Sequence, residues 1–371
     1  MEEELLCLMA LTEIPGLGSV GIRNLLTAVG DATTVFRERT HLTDYIPKLN
    51  PRIIAALDAP EAFKIAEKEM RFVESNHIRC LTLQSEDYPS RLRECDDAPF
   101  LLFYRGNADL NALRVINMVG TRHATDYGKG ICASFLADLK TLVPDVLVVS
   151  GLAYGIDINA HREALANQLD TVGVLAHGLD RIYPAVHRNT AAEMVSHGGL
   201  LTEYKSGTNP DRQNFVCRNR IVAGIADATI VVESAEKGGS LITAEIAESY
   251  HRDCFAFPGR TGDLYSKGCN ALIASNRAAL IQSAEDFVKA MCWETASVDK
   301  SPEAVQRQLF PNLTDEEQIV VGLLQSNGDL QINTLVVQAN IPVYKMSAIL
   351  FELEMKGMVR ALAGGVYHLL G

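Results

Sequence analysis

The sequence predicts an α/β protein: an extended Rossmann-like, doubly wound sheet between a helical N-terminal domain and a C-terminal winged-helix domain. Three observations carry this. From about residue 110 to 290, short apolar β-branched runs alternate strictly with glycine-rich loops and helical segments, the pattern of a parallel sheet with right-handed crossovers. Before that region apolar residues recur at three and four, the helical period. After it a charged stretch with two prolines leads into three helical patterns and a closing hairpin.

A chain of 371 residues has room for two or three domains, and its 47% hydrophobic and 22% charged content is that of a globular protein rather than a disordered one. A formal charge of -12 excludes a protein that coats nucleic acid with its whole surface, so any phosphate site has to be a local patch. Met1-Glu2-Glu3-Glu4 lacks the basic and apolar regions of an export signal, and no apolar run reaches the length of a membrane span. The 8 cysteines are scattered without a CxxC pair. A cytoplasmic protein with reduced thiols, no membrane contact and no metal is expected.

Taken in order, residues 1–76 form the helical N-terminal domain, SAM-like or helix-hairpin-helix-like. Ile14-Pro15-Gly16-Leu17-Gly18-Ser19-Val20-Gly21, ahead of a helix from Ile22 to Val29, has the form of a turn that offers backbone N–H groups to a DNA phosphate. Only Arg23 lies close by, so charge favours the other reading, a tight turn between two core helices. Residues 77–293 form the Rossmann-like domain, opened by two short extra strands, Ile78 to Leu83 and Phe100 to Tyr104. Its main strands are expected at Arg114–Val119, Val146–Ser150, Thr171–Leu175, Leu200–Glu203, Thr229–Val232 and Cys254–Phe257. Helices fill the intervals near Tyr127–Leu139, Asp157–Asn167, Asn189–Ser196, Phe215–Gly224 and Leu241–Tyr250. Residues 294–312 read as a linker. Residues 313–371 read as the winged helix, but their three basic and six acidic side chains, net -3, favour protein contact over duplex binding.

In such a sheet every loop leaving a strand's C-terminal end emerges on one edge, facing helix N-termini. On that edge Gly120 allows a tight turn, Thr121 offers a hydroxyl and Arg122 a planar fork for phosphate oxygens. Ser150 and Gly151 open the next loop, which runs to Asp157 as an expected N-cap. The loop from Glu203 to Arg220 carries Lys205, Arg212, Arg218 and Arg220 with Asn214, and Phe215 offers a face for a base to stack on. Lys237, Gly238, Gly239 and Ser240 open a further helix, and Asn270 adds a polar contact from the last loop. The Gly120 loop is not GxGxxG, the fingerprint a dinucleotide fold would carry after this strand, which removes a dinucleotide cofactor. Walker, HExxH and GxSxG motifs are absent as well, and the histidines show no ligand spacing, so no catalytic residue and no cofactor is assigned.

With these runs assembled, the chain resembles the DNA-processing protein A (DprA/Smf) family. The resemblance rests on Gly120-Thr121-Arg122, the run Ser150 to Asp157, Gln213-Asn214-Phe215 with Arg218-Asn219-Arg220, Gly239-Ser240-Leu241-Ile242-Thr243-Ala244, and Pro258-Gly259 with Gly268-Cys269-Asn270. It implies single-stranded DNA binding without sequence preference, loading of the RecA recombinase in natural transformation, self-association as a dimer, and no catalytic turnover. By motif it assigns strand holding to Arg122, Lys205, Arg212, Phe215, Arg218, Arg220 and Lys237. Val216, Gly238 and His177 depart from the proline, serine and glycine common at those positions; Gly238 keeps the backbone donors. A second reading is a phosphoribohydrolase-type enzyme acting on nucleotides, with Glu245 after the Gly238-Gly239 loop as its acid or base. The basic-aromatic loop fits that enzyme poorly.

Overall fold

The computed structural model describes residues 2–58, 60–295, 313–356, 358–362 and 365–369. Two compact units divide the chain, residues 1–297 and residues 298–371. The expected linker and the tip of the expected hairpin at Gly364 fall largely outside the described residues.

The larger unit is built on one sheet of nine strands: β1 (Arg79–Thr82), β2 (Leu101–Gly106), β3 (Val115–Val119), β4 (Leu147–Ser150), β5 (Thr171–Val174), β6 (Gly198–Thr202), β7 (Ala228–Val231), β8 (Asp253–Ala256) and β9 (Ala279–Leu280). Their spatial order is β1-β2-β6-β5-β4-β3-β7-β8-β9. From β6 to β9 every pairing is parallel, and β2 joins β6 antiparallel, with β1 antiparallel beyond it. The two extra strands thus extend the main sheet at one edge. All six expected main strands are present within two residues at either end; β9 and the helices Lys267–Ala274 and Ala284–Ala290 are additional.

Strands β3, β4, β5 and β7 are buried at every position, as continuous apolar runs covered by helices on both faces must be. One face packs Val115, Val119, Val149, Val172 and Val231 against the helix Arg212–Gly224 through Ile221 and Val222. The other packs Ile116, Met118, Val148 and Ile230 against Phe135, Leu136 and Leu139 of the helix Asp126–Leu142. Chain order runs outward from β3 through β4, β5 and β6, then returns to β7 on its far side. This reversal makes the β3/β7 boundary a topological switch point, where the loops diverge and leave a crevice.

The N-terminal helices Glu2–Thr12, Ser19–Val29 and Glu61–Ser75 close their own core against Phe100 and, on β2, Leu101 and Phe103. Between the first two, Ile14, Leu17, Ile22 and Leu25 are buried, so the Gly16–Gly18 turn joins two core helices. Gly16 supplies the φ of +79° it needs.

The smaller unit has helices Asp315–Asn327, Ile332–Ala339 and Val343–Met355, followed by paired strands Val359–Leu362 and Val366–Leu369, the winged-helix order. Thr314 and Glu317 form a capping box at its first helix. Two of its basic groups are spent internally, Lys345 on Glu316 at 2.5 Å and Lys356 on Glu317 at 2.6 Å. No single helix among the described residues is long and apolar enough to cross a membrane.

Candidate nucleic-acid interface

At the switch point the loops after β3, β4 and β7 meet the first two turns of the helix Arg212–Gly224 around a groove of 630 Å³. Gly120, Thr121, Arg122, Gly151, Arg212, Phe215, Arg218, Lys237, Gly238, Gly239 and Ser240 all line it. The loops are locked to one another. The Thr121 N–H donates to the Glu233 carbonyl at 2.7 Å, and the Ile156 N–H to the Thr121 carbonyl at 3.1 Å. The buried Glu233 carboxylate accepts from the N–H and hydroxyl of Thr125, which caps the helix Asp126–Leu142. Gly155, at φ +77°, lies so close to the Thr121 carbonyl that no Cβ fits. It occupies the N-cap of the helix Ile156–Ala166, the place expected for Asp157, because only glycine tolerates that conformation here.

Two helix N-termini open onto the groove without a side-chain cap and without an acid in the first turn: Arg212–Gly224 and Gly239–Ser249. Their leading N–H groups and the positive dipole ends suit an anion. Arg122, Arg212 and Lys237 are exposed, and none has a hydrogen-bond or ion-pair partner among the described residues. Half-buried Phe215 stands among them. The Arg122 guanidinium lies 5.3 Å from its ring centroid, that of Arg218 5.8 Å, and the exposed Tyr183 ring 6.0 Å.

Arg218 departs from its expected role on the strand. It is only 3% exposed and donates through Nη1 to the carbonyls of Gly151, at 2.6 Å, and Val174. Burial pushes its guanidinium pKa down to about 10, with the Asp157 carboxylate opposing, so it remains charged at neutral pH. Burial in turn raises the Asp157 carboxyl, and Arg218 pulls it back. Arg218 forms the floor, tying the β4 loop to the β5 end through the Gly151 and Val174 carbonyls.

Five other expected contact residues lie outside the groove lining. Ser150 is fully buried and donates its hydroxyl to the Met118 carbonyl at 2.6 Å. Lys205 pairs with Glu13, and Arg220 with Glu203 and the Asp97 carbonyl. Asn214 donates to the Asn209 carbonyl at 3.0 Å, and Asn270 exchanges two bonds with the backbone of Gly259. Even Ser240, which lines the groove, gives its hydroxyl to Ser234. Asp157, Asn219 and Thr243 line the groove without having been assigned to it. Helical spacing could have found the last two, four residues beyond Phe215 and Gly239 respectively. Glu245, the acid of the enzyme reading, is exposed and does not line the groove. No group of three or more metal-ligating side chains occurs among the described residues.

Fold and groove together define a Rossmann-like protein with exposed cations and uncapped helix N-termini at one sheet edge, and a winged helix. Comparison with known proteins makes this specific: residues 79–292 match the family model for DNA recombination-mediator protein A, and residues 303–365 the DprA winged helix domain. The chain belongs to the DNA recombination-mediator protein A family. It is 34% identical over 264 residues to the DNA processing protein DprA of Bacillus subtilis, across 71% of this chain and 82% of that one. The X-ray structure of DNA processing protein A from Streptococcus pneumoniae aligns with TM-score 0.57 and 31% identity, over 74% of this chain and 97% of that chain. DNA processing protein A from Helicobacter pylori, whose structure is described for its single-stranded DNA binding mode, aligns with TM-score 0.52 and 28% identity, over 58% and 95%.

Proposed function

We propose that the protein binds single-stranded DNA without sequence preference along the switch-point groove, and acts in the cytoplasm as a dimeric recombination mediator that loads RecA recombinase during transformation. The observation that carries the strand-binding part is the set of three exposed cations, Arg122, Arg212 and Lys237, without an ion-pair partner among the described residues and arranged with two uncapped helix N-termini around the Phe215 ring. Cations and backbone N–H groups take phosphates, and an aromatic face takes any base, which gives affinity without sequence reading. The single-stranded DNA bound by the Helicobacter pylori relative supports the same ligand here. Family membership supports recombinase loading and dimerisation. On this reading the protein turns over no substrate.

The winged helix is assigned to protein contact. Its net charge is -3 over residues 313–371, and the second helix of its helix-turn-helix exposes Tyr344, Phe351 and Met355, while its exposed cation, Lys345, is paired with Glu316. The test is a titration of labelled oligonucleotides of mixed and homopolymeric sequence, with oligomer mass measured in parallel and RecA filament formation followed on pre-coated strands. Similar affinities for all sequences and faster filament assembly are expected. Failure to bind single strands would overturn the reading.

A further inference from the structure

The loop from Glu203 to Asp211 delivers the chain to the helix Arg212–Gly224. It contains Gly207 and Pro210, lies outside the regular elements, and has two backbone bonds of its own, Thr208 N–H to the Lys205 carbonyl at 3.3 Å and Asp211 N–H to the Asn209 carbonyl at 2.9 Å. Its side-chain anchors are groups far away in sequence. Glu69, on the helix Glu61–Ser75, accepts from the Ser206 N–H at 2.9 Å and from the Ser206 hydroxyl at 2.5 Å, one bond to each carboxylate oxygen. Glu69 is buried and forms no ion pair among the described residues, so the Ser206 bonds hold its charge in place.

One residue earlier Lys205 pairs with Glu13. On the opposite side the Gly207 N–H donates to Asp180 Oδ1, and Arg181 Nη1 donates to Asn209 Oδ1, each at 2.9 Å. Asn209 passes the constraint onward, since its carbonyl accepts from the Asp211 N–H at 2.9 Å and from Asn214 Nδ2 at 3.0 Å. Pro210, Arg212 and Phe215, immediately beyond, line the groove.

We propose that Glu69 of the N-terminal helical domain is a positioning residue of the DNA groove, fixing the Glu203–Asp211 loop and thereby where Arg212 and Phe215 stand. The inference rests on the strand-binding reading above. Glu69 touches no strand. It acts by removing loop freedom that binding would otherwise have to remove, so its contribution is to affinity and not to the number of phosphates neutralised. Lys205 belongs to the same clamp, which accounts for a cation of the basic loop being spent on the N-terminal domain.

The experiment measures oligo-dT affinity as a function of salt, together with amide exchange across residues 203–211, for the full-length parent, Glu69→Ala, Glu69→Gln and Ser206→Ala. Glu69→Ala is expected to weaken binding about tenfold, the scale of lost hydrogen bonds to a charged group, with an unchanged salt slope and faster exchange in the loop. Glu69→Gln, which can still accept from the Ser206 N–H, should recover most of the loss. A double variant Glu69→Ala/Ser206→Ala should be no worse than Glu69→Ala alone. Parent-like affinity in Glu69→Ala overturns the proposal, and so does a reduced salt slope, which would mean a direct electrostatic role. If Glu69→Ala does not fold, Ser206→Ala carries the test: a several-fold loss is expected, and parent affinity overturns it. A parent protein that does not bind oligo-dT overturns the strand-binding reading itself.

Discussion

The guanidinium of Arg122 lies over the ring of Phe215, 5.3 Å from its centroid, and so bridges the loop after β3 to the helix that follows β6. A cation suited to a phosphate and an aromatic face suited to a base thus stand side by side. Phe215→Ala should therefore weaken single-strand binding by about 1–3 kcal/mol, the worth of one stacked base, while Phe215→Tyr keeps most of it. Arg122→Ala should lower the salt slope of log K by about 0.7, one phosphate contact on a single strand. Fluorescence anisotropy over a salt series measures both, and a parent-like slope in Arg122→Ala would remove that residue from the strand.

Arg218 is expected to behave differently from Arg122 although both approach the same ring. Arg218→Ala removes a charged donor from the Gly151 and Val174 carbonyls and the cation that offsets the burial of Asp157, a loss on the order of 1.5–3 kcal/mol of folding stability. Arg122→Ala, on an exposed side chain, should change stability by less than about 0.5 kcal/mol. Urea unfolding of the two variants checks this, and equal midpoints would contradict it.

Gly239 separates folding from function. A Cβ built there meets nothing within 4 Å, and its backbone is not left-handed, so nothing in the fold requires glycine at the start of this helix. Gly239→Ala should hold stability or raise it by about 0.5–1 kcal/mol. If glycine is present so that a phosphate can approach the backbone, the same variant should lose affinity. Unchanged strand binding in a stable Gly239→Ala would show that the ligand does not come that close.

Stability should fall on acidification through the buried histidines. His161 is fully buried, with Nδ1 on the Thr171 hydroxyl at 2.7 Å, and desolvation first, then His187 and Arg218, depress its pKa to about 3. Because the folded value lies below the unfolded value of 6.5, neutral His161 contributes stability that is complete above that value. It is lost progressively as pH falls toward the folded value. His177 and His187 are shifted in the same direction. Urea midpoints between pH 7 and 5 should decline in the parent and decline less in His161→Leu, which removes the titration and the unpartnered Nε2 together. Parallel pH profiles would contradict this.

The strands were legible because burial on both faces forces continuous apolar runs such as Val115–Val119, and such runs survive without context. The loops that line the groove were legible because small residues cluster at Gly120, Gly151 and Gly238-Gly239 between strand and helix. What could not be read was which cations remain available. Lys205 and Arg220 have the same local composition around them as Arg212, but their acids are Glu13, 192 residues away, and Glu203, at the far end of the loop. Arg218 gives no local sign of burial, since its acceptors are backbone carbonyls of two other strand ends. Side-chain identity fixes the chemistry a residue can do, and tertiary placement decides whether that capacity is already used.

The central claim, that the switch-point groove holds single-stranded DNA, is tested most directly by the triple variant Arg122→Ala/Arg212→Ala/Lys237→Ala titrated with oligo-dT across a salt series. All three side chains are exposed and have no hydrogen-bond or ion-pair partner among the described residues, so the variant should fold like the parent. The account predicts a salt slope reduced by about 2, at roughly 0.7 per phosphate contact, with a large loss of affinity at low salt. A triple variant that binds with the parent's affinity and slope would place the strand elsewhere on the protein.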